Sequence, residues 1–212
     1  MGKESRSFIV SFWARVFEIL GRISVFTLVR RLLKKPITER FIDGWVMGHL
    51  VGSIAALFAA ALLGQSWLSY LLAGYGFLRT CEIVIYQANV MLFDEFRANK
   101  AEQEYFLEGY RRVVLLLIHN YFEIIFWLAC TYTVFAAEYE HKFTSGVGTV
   151  LGGVYSSFIT MTTFGEFDLL PQTNIAAMIL MFHATVGLFM TLLSLARFIA
   201  LLPTPKAKNP MG

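Results

Sequence analysis

The sequence predicts an all-α integral membrane protein with four transmembrane helices. The chain of 212 residues is 57% hydrophobic and only 16% charged, which is more apolar side chain than a soluble domain of this length can bury. Its charged residues also stay out of four long stretches, apart from isolated exceptions. Each stretch reaches the length of about 20 residues that a helix needs to cross a bilayer.

The first two spans come from one long run. No Asp, Glu, Lys or Arg occurs from residue 44 to residue 77, and the polar break Gly64-Gln65-Ser66 divides that run. We therefore expect a first span at residues 42–63 and a second from residue 67 to about residue 93. Arg79 and Glu82, the only charges of the second span, are three residues apart and share a helix face. We expect them to form a structural ion pair, which lowers the cost of carrying either charge through lipid.

The other two spans are predicted at residues 113–137 and 175–202. The connection at 94–112 mixes acidic and basic residues and is expected to extend the neighbouring helices beyond the membrane. Fifteen of the eighteen Lys and Arg residues lie in residues 1–40, in this connection or in the C-terminal tail. Positive charge stays on the cytoplasmic side of short loops, so we expect a multi-pass protein of the cell membrane with both termini in the cytoplasm.

The N-terminal segment at residues 7–35 mixes apolar and basic residues. Its polar positions recur at steps of three and four, which places them on one face of a helix: Ser7, Ser11, Arg15, Glu18 and Arg22. A basic amphipathic helix is typical of the cytoplasmic membrane surface, where its cations meet anionic lipid head groups. A fifth span is the alternative.

The segment between the third and fourth spans is too apolar for an exposed loop and too short to cross. It runs from Val147 to Met161, and a polar turn that contains Gly165 follows before Pro171. Both ends of this segment lie on the same side of the predicted membrane. Irregular backbone is tolerated at membrane depth only where protein buries it or water lines it. The segment is therefore expected to form a re-entrant helix followed by a buried or water-lined turn.

The residues from Ser157 to Pro171 read SFITMTTFGEFDLLP and resemble the pore helix and selectivity filter of potassium channels, whose pattern is SFxTxTTVGYGDxxP. The resemblance covers about residues 113–202, and it implies an outer helix in the third span and an inner helix in the fourth. It also implies a homotetramer in which ringed backbone carbonyls replace the water around a potassium ion. The implied conduction residues are Thr162, Thr163, Phe164, Gly165, Glu166, Phe167 and Asp168.

Two residues depart from the pattern of the family. Glu166 stands where potassium channels have an aromatic residue, and Phe167 stands where they have a second glycine. Phenylalanine enters the backbone conformation of that glycine only with strain. Four copies of Glu166 would form an acidic ring that attracts cations through side-chain charge. Relaxed selectivity, with sodium or calcium permeation, is the alternative to potassium selectivity.

In the fourth span, Gly187 resembles the gating hinge of the family's inner helix, and close helix packing is the other explanation for it. The division expected for the chain is a cytoplasmic basic segment at 1–40, two peripheral spans at 41–112, a pore domain at 113–203 and a cytoplasmic tail at 204–212. The predicted function is a cation channel and not an enzyme. It needs no cofactor or bound metal, its partners are its own copies and membrane lipids, and no nucleic acid partner is expected. A non-conducting assembly subunit, and a transporter or membrane enzyme that uses His and carboxylate residues, are the alternatives.

Overall fold

The computed structural model is nearly all helical. It describes residues 8–22, 24–26, 29, 38–100, 110–141, 146–163 and 169–201. Over these residues the secondary structure includes six α-helices, a short 3-10 helix (Ala136–Glu138) and two short strands: α1 (Phe8–Arg22), α2 (Glu39–Leu63), α3 (Trp67–Lys100), α4 (Tyr110–Val134), β1 (Tyr139–His141), α5 (Val150–Thr162), β2 (Leu169–Pro171) and α6 (Asn174–Leu201).

Four of these helices, α2, α3, α4 and α6, are long and apolar enough to cross a membrane. Their candidate membrane segments are Glu39–Leu63, Trp67–Val90, Arg112–Val134 and Asn174–Ile199. Each begins and ends within three residues of the predicted span. The prediction of four candidate spans is therefore confirmed.

Local side chains and glycines set several helix ends. The Thr38 hydroxyl accepts a hydrogen bond from the Phe41 amide at the start of α2, and α2 ends at Gly64, whose φ of +57° suits glycine. At the start of α5 the Thr149 hydroxyl accepts from the Gly152 amide at 3.1 Å. The sequence thus marks both helices with an N-terminal threonine cap.

The third candidate span, α4, is the centre of the bundle, and α2, α3 and α5 all pack on it. Half of its membrane segment is buried inside the chain, against 28% for the segment of α6. One apolar cluster joins α2, α3 and α4 around Leu57 and Trp127. Another joins α3, α4, α5 and α6 around Leu128 and Met161. The helix α5 belongs to this second cluster and packs against α4 and α6.

Strands β1 and β2 pair antiparallel, with Tyr139 opposite Pro171 and His141 opposite Leu169. The chain that leaves β1 therefore returns to the same place after α5. Several sequence predictions fall outside the described residues, namely the tail at 204–212, residues 101–109 of the connection predicted at 94–112, and the turn at 164–168. The amphipathic N-terminal segment is helical over Phe8–Arg22, and α1 packs on α3.

Candidate functional site

Two glycines allow α5 to approach its neighbours closely. A Cβ atom at Gly153 would lie 2.3 Å from Thr133 Oγ1 on α4, and one at Gly152 would lie 1.9 Å from the carbonyl oxygen of Gly146. No larger residue fits at either position without a shift of the backbone. The N-terminal half of α5 therefore lies close to α4 at Gly153 and close to the turn that precedes it at Gly152.

The C-terminal end of α5 meets the middle of α6. A Cβ atom at Gly187 would lie 2.7 Å from the Met161 carbonyl oxygen, so only glycine lets the two backbones come this close. The Tyr121 hydroxyl donates to the same carbonyl oxygen at 3.3 Å. Since Gly187 is thirteen residues into α6, the end of α5 lies roughly 20 Å along that helix. Close packing thus accounts for this glycine, and its role as a hinge stays a prediction.

Hydrogen bonds of uncharged groups connect α5 to α4. The Ser157 hydroxyl is fully buried and donates to the Ile125 carbonyl oxygen at 2.7 Å. The Thr160 hydroxyl donates to the Ser156 carbonyl oxygen within α5 at 2.7 Å. The serine of the sequence motif therefore positions α5 on α4, whereas the first threonine makes its hydrogen bond within α5.

A buried Tyr–His pair connects α4 to α6 beside this region. The Tyr132 hydroxyl and the His183 Nδ1 atom are 3.0 Å apart, and neither side chain is exposed to solvent. Among the described residues the His183 Nε2 atom has no hydrogen-bond partner. Next to the pair, the Tyr139 hydroxyl donates to the Ala176 carbonyl oxygen, and burial raises the pKa of Tyr139.

The structure describes the first two residues of the implied filter. Thr162 is the last residue of α5, and its hydroxyl donates to the Phe158 carbonyl oxygen. Thr163 follows in the left-handed backbone region, with φ of 56° and ψ of 17°, so the helix ends there. The other implied conduction residues lie outside the described residues: Phe164, Gly165, Glu166, Phe167 and Asp168.

A second polar site lies in the candidate spans away from α5. The Arg79 Nη1 atom is 2.8 Å from Glu82 Oε2, and the Arg79 Nε atom is 2.7 Å from Glu123 Oε1 on α4. The Trp127 indole also donates to Glu123 at 3.3 Å. The spacing along α3 pointed to Glu82, but no spacing within one helix identifies a partner on another, and Glu123 was missed for that reason.

His119 and Glu123 lie one turn apart on α4, a spacing that could serve a proton or metal site, but each side chain has another partner. The His119 Nδ1 atom is hydrogen-bonded to the Leu115 carbonyl oxygen of its own helix, whereas Glu123 is engaged by Arg79 and Trp127. Among the residues that the structure describes, no group of three or more His, Cys, Asp or Glu side chains is placed to hold a metal ion.

Comparisons of the chain with protein-family models, with curated proteins and with solved structures find no match.

Proposed function

We propose that this protein is a cation channel that resembles potassium channels, in which four copies of α5 and the following residues surround one pore. The supporting observation is the placement of α5. This helix lies against α4 and α6 and ends beside the middle of α6 at Gly187, and the segment that contains it starts and finishes at the paired strands β1 and β2. That arrangement is the one that a re-entrant pore helix requires, because the segment leaves and returns on one side.

The electrostatics of α5 favour a cation at its end. The C-terminal end of a helix carries a partial negative charge from its unpaired carbonyl groups. The end of α5 at Thr162 lies roughly 20 Å along α6, which is about the middle of a membrane span. Four such ends around a water-filled cavity stabilise a cation where lipid alone would reject it. Next along the chain are the threonine and glycine carbonyls that the sequence motif assigns to the filter.

The exposure of α6 leaves a surface that further copies would cover in the proposed tetramer. The membrane segment of α6 is the innermost in the proposed pore, and 28% of it is buried within one chain, the same share as for the peripheral helix α2. Large apolar side chains remain exposed along α6: Met178, Met181, Leu188, Leu192 and Leu195. Neighbouring subunits in a tetramer would cover part of this face. The proposed orientation places both termini in the cytoplasm and the paired strands outside.

Ion flux into liposomes that contain the purified protein tests this function. Gradients of potassium, sodium and calcium are compared for the wild-type protein, Glu166→Gln and the control Glu140→Gln, which removes an exposed acid from β1. We expect cation flux that changes with Glu166→Gln and stays at the wild-type level with Glu140→Gln. Potassium-selective flux would support an intact filter, and sodium or calcium flux would support the acidic ring.

The molecular mass of the protein in the same preparation is also measured, because the proposal requires a particle of four chains. Well-folded tetramers without flux under any ionic gradient or voltage would contradict a conducting pore and favour an assembly subunit. Folded monomers would contradict the shared pore directly.

A further inference from the structure

The buried charges around Arg79 do not balance. One guanidinium group faces two carboxylates, and the side chains of Arg79, Glu82 and Glu123 are 5%, 8% and 0% exposed. A carboxylate in a membrane span is costly unless hydrogen-bond donors surround it. The second carboxylate therefore needs donors beyond those that Arg79 provides.

Glu123 receives most of the available donors from within the bundle. The Nε and Nη2 atoms of Arg79 and the Trp127 indole all point to its two oxygens, at 2.7, 3.3 and 3.3 Å. Only the Nη1 atom of Arg79 turns to Glu82, where it reaches Oε2 at 2.8 Å. The other oxygen of Glu82 depends on a different part of the chain.

The N-terminal segment provides the missing donors. The Ser24 hydroxyl and the Phe26 amide donate to Glu82 Oε1 at 2.5 and 2.8 Å. The Phe26 ring also packs on Phe41 and Trp45 of α2, with ring centroids 6.4 and 5.7 Å apart. The residues that follow α1 thus contact both α2 and α3, and they donate two hydrogen bonds to the buried carboxylate of Glu82.

We propose that Glu82 is a releasable docking point for the N-terminal segment, and that its occupancy couples the position of α1 to the pore helix α5. An anchored segment keeps Glu82 paired as a carboxylate. If the segment leaves, the buried carboxylate of Glu82 keeps only one donor, the Nη1 atom of Arg79. Docking of the segment and the stability of the ion cluster therefore depend on each other. The docking half of this inference stands on the contacts alone, whereas the coupling half rests on the proposed channel function.

Two sets of polar contacts, joined by one stretch of α4, connect the docking point to α5. Glu82 and Glu123 share Arg79, which joins α3 to α4. Two residues beyond Glu123 in α4, the Ile125 carbonyl oxygen accepts the hydroxyl of Ser157 in α5. In the proposed coupling, a shift of the N-terminal segment reaches the pore helix through the Arg79 cluster, the segment of α4 from Glu123 to Ile125, and the hydrogen bond of Ser157.

Three variants test docking through the net charge of the cluster, which is −1 in the wild-type protein. Ser24→Asp places a carboxylate against Glu82 and makes the charge −2, whereas Glu82→Gln makes it zero. The double variant Ser24→Asp/Glu82→Gln restores −1 and removes the repulsion between the two carboxylates. Ser11→Asp is the matched control, because it adds the same charge on the exposed face of α1.

The measurement is hydrogen exchange of the amides at residues 8–22 in protein reconstituted into lipid nanodiscs. We expect exchange about tenfold faster in Ser24→Asp, which corresponds to about 1.4 kcal/mol, and close to the wild-type rate in the double variant and in Ser11→Asp. Wild-type exchange in Ser24→Asp, or equally fast exchange in the double variant, overturns docking at Glu82.

Cation flux in liposomes tests the coupling with the same proteins. We expect flux to change in Ser24→Asp, to return toward the wild-type value in the double variant, and to be unaffected by Ser11→Asp. Faster exchange with unchanged flux overturns the coupling and leaves docking in place. Absence of flux in every protein, the wild type included, overturns the proposed channel and the coupling with it, while the exchange rates still decide docking.

Discussion

The helices on the two sides of α4 are attached to it by different kinds of contact. On the side of α5 and α6, glycines bring backbones into contact and buried hydroxyl groups make neutral hydrogen bonds, as at Gly187 and Ser157. On the other side, an apolar cluster joins α2 and α3 to α4, and a buried ion cluster centred on Arg79 adds a charged contact between α3 and α4. Glycine contacts fix a distance and tolerate no added atoms, whereas an ion cluster fixes a charge balance. We therefore expect different substitutions to lower the free energy of unfolding on the two sides.

The largest effect is expected from Arg79→Leu. This change leaves two buried carboxylates without their cation, and loss of one partner of a buried pair typically costs about 3–5 kcal/mol. We expect the free energy of unfolding, measured by denaturation in detergent micelles, to fall by that amount or the protein to fail to fold.

The matched control for Arg79→Leu is Arg112→Leu, because Arg112 pairs with Asp43 at 2.9 Å in an exposed position. Exposed pairs contribute about 0–1 kcal/mol. Similar losses in the two variants would contradict the view that burial makes the Arg79 cluster contribute more to stability than an exposed ion pair.

The next effect is expected from Gly187→Ala, which adds one methyl group where the Met161 carbonyl oxygen leaves no room. Overpacking of this kind costs about 1–3 kcal/mol, and we expect a lower free energy of unfolding together with altered cation flux. Gly74→Ala on α3 is the control, since an added Cβ atom there meets nothing within 4 Å. Unchanged stability with altered flux in Gly187→Ala would instead favour a hinge.

The sequence predicted the helices better than their contacts. The four spans followed from the absence of charge, and the Arg79–Glu82 spacing followed from the geometry of a single helix. The contact of Glu82 with Ser24 did not follow, because periodicity describes which residues share a face and not which segment covers that face. The same limit applies to Gly187, whose neighbour Met161 lies on another helix and is separated from it by the filter sequence.

A third effect is expected from Tyr132→Phe on the side of α6. The change leaves the buried His183 Nδ1 atom without its partner at 3.0 Å, and an unsatisfied buried polar group costs about 1–3 kcal/mol. We expect a loss toward the lower end of that range in the free energy of unfolding. Tyr70→Phe is the control, because Tyr70 is 44% exposed.

The double variant Tyr132→Phe/His183→Phe distinguishes the cost of an orphaned polar atom from the value of the bond itself. Apolar replacement of both partners is often nearly neutral, so we expect the double variant to regain most of the stability that Tyr132→Phe loses. A larger loss in the double variant would show that His183 has a further role at its Nε2 atom.

The smallest effect is expected from Ser157→Ala, which removes the hydrogen bond between α5 and α4. One neutral hydrogen bond contributes about 0.5–1.5 kcal/mol, and Ile125 keeps its place in the α-helix when the serine hydroxyl is lost. Ser194→Ala is the control, because the Ser194 hydroxyl bonds the Met190 carbonyl oxygen within α6 at 2.7 Å and joins no two helices. We expect a smaller loss of stability in Ser194→Ala and, in liposomes, a change of flux only in Ser157→Ala. Equal losses with unchanged flux would mean that the glycine contacts alone position α5, and that the serine of the motif contributes no more than a local hydrogen bond.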